Sequence, residues 1–215
     1  MSAKTNIYTG YHFVGADGRE RYGSRRKIEA GKTYRIQGTP VLCKHGLHAS
    51  ARIIDALAYA PLDTKYVCLV ELGGTVKLDS DKAVATQRTV TWMVGVERIL
   101  HEFACWCAEQ ALKVERKAGR EPDPRSWQAI RIKRRWLKGQ ATDQELSAAR
   151  DAAWAAAWAA AWAAAWAAAR AAAWNAARAA RAAAWPAAWP AAGAAARAAQ
   201  NRKLTAMVRA LTKGE

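Results

Sequence analysis

Residues 143–170 read DQELSAARDAAWAAAWAAAWAAAWAAAR, and this stretch decides one half of the fold. From Trp154 a large side chain recurs every fourth position, at Trp158, Trp162 and Trp166, with three alanines in each interval. Alanine is the strongest helix former, and neither glycine nor proline interrupts the run, so it reads as helix. A spacing of four against 3.6 residues per turn advances each tryptophan by about 40°, so the row winds around the rod and forms no straight stripe. Arg170, Trp174 and Arg178 keep the phase; it then slips by one and resumes at Arg181, Trp185, Trp189, Gly193 and Arg197. Thr142-Asp143-Gln144-Glu145 has the form of a capping box and opens the helix, which the pattern carries to about residue 184, a rod of about 60 Å. Pro186 and Pro190 in WPAAWPAAG end or turn it, because two interior prolines within a turn are not compatible with an unbroken helix. A final basic helix is expected over about 194–212, as the returning arm of a hairpin.

Upstream of the rod the patterning changes. TYRI (33–36), YVCLVEL (66–72) and RTVTWMV (88–94) are rich in β-branched and aromatic residues and are punctuated by Gly31, Gly38–Pro40 and Gly73–Gly74, which predicts strands. Between them Ser50 to Ala60 has helical spacing, with Ser50 as the expected N-cap and Pro61 as the stop. A helix follows from about Val96 to Ala118, then GREPDP (119–124), then a third helix over about 124–138 stopped by Gly139. The expected class is α+β. A strand-rich domain occupies 1–95, a two-helix connector 96–141, the Ala/Trp helix 142–185, and a proline-marked turn with a basic terminal helix 186–215.

The chain has 215 residues, with 34 basic against 18 acidic side chains and a net charge of +16. A surplus of this size favours polyanionic partners. Arg131, Lys133, Arg134, Arg135, Trp136 and Lys138 are the densest cluster: on a helix Arg131, Arg134, Arg135 and Lys138 share a face, and the tryptophan can stack once. Arg202 and Lys203 extend this expectation to the terminal helix. The tryptophan row (Trp154, Trp158, Trp162, Trp166, Trp174) reads as a surface for packing, self-association or partner docking. Base stacking with the interleaved Arg170, Arg178 and Arg181 is an alternative, and neutral expansion of a twelve-nucleotide repeat is another. No membrane span is expected: residues 152–169 are uncharged, but alanine is near neutral for insertion and the tryptophans run through the centre instead of forming end belts. Four cysteines without a disulfide-framework spacing, and no apolar leader in MSAKTNIYTG, point to a reducing cytoplasm.

Motifs for chemistry are sparse. GxSxG, GxxxxGK[ST], HExxH and GxGxxG are all missing, so no cofactor is expected and the balance lies against an enzyme. Cys43-Lys44-His45-Gly46-Leu47-His48 together with His101 and Cys105 (i, i+4) brings metal ligation to mind, but C-x-H-x2-H is not a finger spacing and no metal is expected. His48, Arg88 and Glu71 would have to meet in a cleft to support catalysis.

VLCKHGLHAS (41–50), DALAYAP (55–61), VCLVELGG (67–74), DKAVATQRTV (81–90) and LHEFACWCAEQAL (100–112) resemble a domain found in bacteriophage and prophage proteins, and QNRKLT (200–205) looks like the tail of such proteins. The resemblance covers roughly residues 30–150 and the last fifteen. It implies an accessory protein of a phage or prophage, in the bacterial host cytoplasm, and carries over no catalytic residue. The function expected is non-enzymatic binding: the repeat packs, self-associates or docks a partner, and the basic helices make weak, salt-dependent contact with nucleic acid. Two alternatives stand beside it. One is a nucleotide-handling or ADP-ribosyl-transfer-like enzyme using the His48/Arg88 region; the other is a counter-defence protein that binds one host protein.

Overall fold

A computed structural model of the chain describes residues 7–21, 25–175 and 185–212, with side chains described outside 160–192. The class is α+β: an antiparallel sheet is followed by helices. Two compact units are formed, one by residues 1–99 with 197–215 and the other by residues 100–196.

The first unit holds β1 (Tyr8–Gly15), β2 (Thr33–Arg35), β3 (Leu47–Ala49), α1 (Ile53–Leu57), β4 (Thr64–Leu78) and β5 (Ala83–Gly95). Its strand order is β1-β4-β5-β2, with β3 also on β5. The hairpin β4–β5 is the frame, and its register shifts at Leu69/Val70 and again at Gly73/Val76. Gly73–Gly74, expected to end a strand, instead forms the second irregularity inside β4. Extra residues in one strand sharpen local twist, and a sheet with two such sites curls. The curl lets β3 reach both β5, through Leu47–Ala49, and β1, through a Tyr11–Ser50 bridge. Gly10 permits that approach, since a Cβ there would lie 2.8 Å from the Ser50 carbonyl oxygen. Ser50 is therefore still extended backbone and does not cap α1; Arg52 holds the N-cap position, and its side chain makes no capping bond to the helix backbone. The concave face packs Val14, Cys68, Val70, Leu72, Val90, Leu47 and Tyr34 into one core.

The last turns of α5 (Trp185–Leu211) complete this unit. Leu204 and Val208 are fully buried. Asn201 Oδ1 accepts from the Ile54 backbone N–H at 3.2 Å, and Arg197 reaches Asp55 at 2.9 Å. Asp55, itself buried, also takes two bonds from Arg52 at 2.6 and 2.9 Å. Arg52 first, and then Arg197, hold its carboxyl below the usual range. The described helix runs from Trp185, ahead of the expected start near 194, and takes in both prolines.

The second unit contains most of α2 (Glu97–Lys117), α3 (Pro124–Leu137) and α4 (Asp143–Asn175). Asp123 caps α3 by accepting from the Arg125 N–H at 2.8 Å, with Pro124 in the first turn. The expected capping box of α4 is formed: Glu145 N–H donates to Thr142 Oγ1 at 3.1 Å, and Thr142 N–H to Glu145 Oε2 at 2.7 Å. α3 packs along the start of α4, where Ala156 is buried. At 33 residues α4 is about 50 Å long, more than twice the length of the 14-residue α3. Residues 176–184 lie outside the described residues, and with them the expected helix end near 184 and the hairpin.

Candidate functional site

The strings LCKHGLHAS and DKAVATQR meet in space. Antiparallel pairing sets Leu47 against Ala85, His48 against Val84 and Ala49 against Ala83. Gly46 makes the junction possible: its φ is +135°, and a Cβ there would fall 2.3 Å from Val84 Cγ2. His48 Nε2 accepts the Cys43 backbone N–H at 3.1 Å, and the ring also bonds the Gly46 backbone, so the imidazole closes its own loop. Desolvation lowers its pKa, with Arg88 and Lys82 adding to the effect. Cys43 itself is exposed and in the left-handed region, at φ +59°.

Arg88 is the centre of the arrangement. It is 2% exposed and donates to the His48 carbonyl at 3.2 Å and to Glu20 Oε1 at 3.1 Å. Glu20, also buried, is shared with Arg26 at 3.1 Å, and the Arg26 guanidinium lies over the Tyr34 ring. Tyr34 in turn donates to the Lys27 carbonyl and accepts from the Glu29 N–H, both at 2.8 Å. One buried ion pair and the groups around it thus fasten Glu20, Arg26, β2, β3 and β5 together. Arg88 Nε is buried without a hydrogen-bond partner. His12 and Cys68 face each other across β1 and β4 on the same side of the sheet. Desolvation, then the Arg88 charge, drives the His12 pKa well below its ordinary value; burial pushes the Cys68 thiol up to about 12. Both shifts favour the neutral forms, and burial keeps the thiol from acting as a nucleophile.

Glu71 does not join them. Leu72 pairs with Arg88 and Glu71 with Thr89, so Glu71 projects from the opposite face. The enzyme alternative needs His48 and Arg88 to line a concave pocket; here the guanidinium is sealed in the core and the imidazole nitrogens hold the loop. His45 bonds the Gln37 carbonyl at 2.8 Å, His101 stands edge-on to Trp136 and Cys105 is buried. No group of three or more His, Cys, Asp or Glu side chains suited to a metal ion occurs among the described residues.

A DUF7666 domain spans residues 9–102. DUF7666 is a domain of unknown function, and the match takes in all five strands and ends in the second turn of α2. It begins some twenty residues before the stretch that the motifs suggested and reaches neither residue 150 nor the tail. No curated protein and no solved structure matches the chain significantly. Glu20, Arg26 and Tyr34 of the DUF7666 domain escaped the sequence reading: RERYGSRRK (19–27) has no periodicity, and only the strand register reveals that Arg88 points inward.

The basic cluster on α3 is partly engaged. Arg134 pairs with Glu109 at 2.7 Å, and Arg135 donates to the Gln140 carbonyl at 2.7 Å. Trp136 donates to Asp143 at 2.6 Å, and Lys133 lies 3.8 Å above its ring. Arg131, Arg135 and Lys138 are exposed, as are Arg202 and Lys203 on α5. On α4, Trp154 is 68% and Trp158 54% exposed. The side chains of Trp162, Trp166 and Trp174 lie outside the described residues. No helix among the described residues is long and apolar enough to cross a membrane.

Proposed function

We propose that the chain is a non-enzymatic accessory binding protein of a phage or prophage, acting in the bacterial host cytoplasm, whose α4 docks a protein partner. The exposure of Trp154 and Trp158 carries this reading. Two large aromatic side chains on one capped, α3-braced helix are a costly surface for a monomer and the residue type that dominates contact energies. The free thiols accord with a reducing compartment, and the LCKHGLHAS string supports the phage assignment by resemblance.

The test is retention of proteins from a bacterial lysate on the immobilised full-length chain and on the Trp154→Ala/Trp158→Ala variant. Alanine is already the host residue of this helix, so the variant keeps its helicity. A partner, a host protein or the chain itself, held by the parent and lost from the variant is the expected result; identical retention by both ends the reading. Arg131, Arg135 and Lys138, and separately Arg202 and Lys203, supply weak contact with nucleic acid. Binding is expected to weaken as salt rises, and neutralising the three α3 residues to reduce the salt slope by about 3. No binding at low salt removes this part of the proposal.

A further inference from the structure

Many cations of the second unit are neutralised by neighbouring acids, and those at the end of α5 are not. Arg116 pairs with Glu121, Arg120 with Glu115, Arg125 with Asp123 and Arg134 with Glu109. α5 carries Arg197, Arg202, Lys203 and Arg209 and no acidic residue. Arg197 is committed to Asp55, whereas Arg202, Lys203 and Arg209 are exposed and form no ion pair among the described residues. Their placement follows from the packing of the helix. At about 100° per residue, Arg202 and Arg209 fall close to one line, about 10.5 Å apart, on the side away from the buried Leu204 and Val208. Asn201, Arg202, Thr205, Ala206, Arg209 and Ala210 line an open groove of about 510 Å³ there. Asn201 Oδ1 is taken by the Ile54 N–H, so its amide NH2 is left to donate, and the Thr205 hydroxyl stands one turn along. Guanidinium, amide and hydroxyl donors are the set that binds phosphate oxygens. One strand of a duplex carries a charge about every 3.4 Å, so the two arginines span about three phosphates.

The makeup of the groove narrows the ligand. None of its six residues is aromatic, so unpaired bases have no ring to stack on. The large apolar side chains Leu204 and Val208 face the sheet, so the outer face has nothing to insert into lipid and no anchor for a protein partner. We propose that this face of α5 holds the phosphate backbone of duplex nucleic acid without reading its sequence, and that the duplex thereby holds α5 on the sheet unit; this rests on the nucleic-acid part of the reading above. The second half follows from the helix itself. The turns that carry Arg202 and Arg209 outward carry Leu204 and Val208 inward, so a ligand of the docked helix stabilises the unit that the helix completes. Arg131, Arg135 and Lys138 belong to the other unit and give contact without this linkage.

Fluorescence anisotropy tests this on the full-length chain with a labelled duplex of about 20 base pairs, between about 50 and 200 mM salt, paired with amide exchange in β4 and β5. Arg202→Gln/Lys203→Gln/Arg209→Gln is expected to bind at least about tenfold more weakly at the low salt and to lose about 2–3 from the salt slope. Its circular dichroism spectrum stays unchanged, since glutamine is a good helix former. Saturating duplex is expected to slow exchange in the parent and in Arg131→Gln/Arg135→Gln/Lys138→Gln, and not in the α5 variant. Single-stranded DNA or polyglutamate held as tightly as duplex, an α5 variant that binds like the parent, or exchange that duplex leaves unchanged overturns the proposal. Binding lost from the α3 variant alone leaves nucleic-acid contact standing and removes α5 as its seat; no binding by the parent removes both.

Discussion

In the DUF7666 domain the buried side chains answer to particular distant neighbours, whereas in the described part of α4 most side chains face solvent. Arg88 answers to Glu20 and the His48 carbonyl, and Gly46 to Val84; replacing either leaves something unmatched. In the described part of α4 beyond the capping box only Ala156 is fully buried, and helix propensity with one cap defines the element. The difference teaches where specification resides. A curled sheet has to place each residue against a distant one, while a helix satisfies its backbone locally and leaves its outer row free for contact.

The contrast can be broken or sharpened by experiment. The largest effect is expected from Arg88→Met: it removes the buried guanidinium that Glu20 and the His48 carbonyl share, leaves Glu20 to Arg26 alone, and costs about 3–5 kcal/mol, read as lost amide-exchange protection in β4 and β5. Leu204→Ala follows, at about 2–5 kcal/mol in the same amides, because this residue of the distant C-terminus is fully buried in the sheet unit. Full protection in either variant would show that the domain is not organised around that residue. Next comes pH. His12 and His48 have folded pKa values below the unfolded value, so the unfolded chain binds protons first. Their contribution to stability is therefore fully present above about pH 6.5 and falls below it, by up to about 1.4 kcal/mol per pH unit for each histidine. His12→Asn should flatten the slope, and an unaltered slope would remove His12 as its source. The smallest effect is expected from Trp154→Ala or Trp158→Ala in the dilute monomer, within about 0.5 kcal/mol by thermal melting. A larger loss would mean that these rings stabilise the protomer itself.

Legibility in the sequence follows the same division. The ends of α2, α3 and the start of α4 were readable to within a residue, because caps, Pro124 and Gly139 act over a few positions. β1 and the three-residue β3 were not, since their reason for being strands is a partner far along the chain: Tyr11 needs Ser50, and Leu47 needs Ala85. Ser50 looked like a cap for the same reason: the competing demand on its backbone comes from β1. The LCKHGLHAS and DKAVATQR strings were visible as words, but that they touch, and that Arg88 is sealed between them, is a property of register. That α5 takes in Pro186 and Pro190 was not legible either, because two prolines within a turn read as a break.

The return of the chain to its first unit has a consequence for inheritance. Arg197, Asn201, Leu204 and Val208, which complete the sheet domain, are encoded after the whole alanine–tryptophan tract. Gaining or losing a twelve-nucleotide unit keeps the reading frame and delivers the same closing helix. Any slip that is not a multiple of three deletes it, leaving Asp55 without Arg197 and a hydrophobic seat empty. The last turns of α5 thus tie the sheet unit to the reading frame: only a polypeptide translated in frame through the alanine–tryptophan tract carries the residues that complete the fold of its beginning.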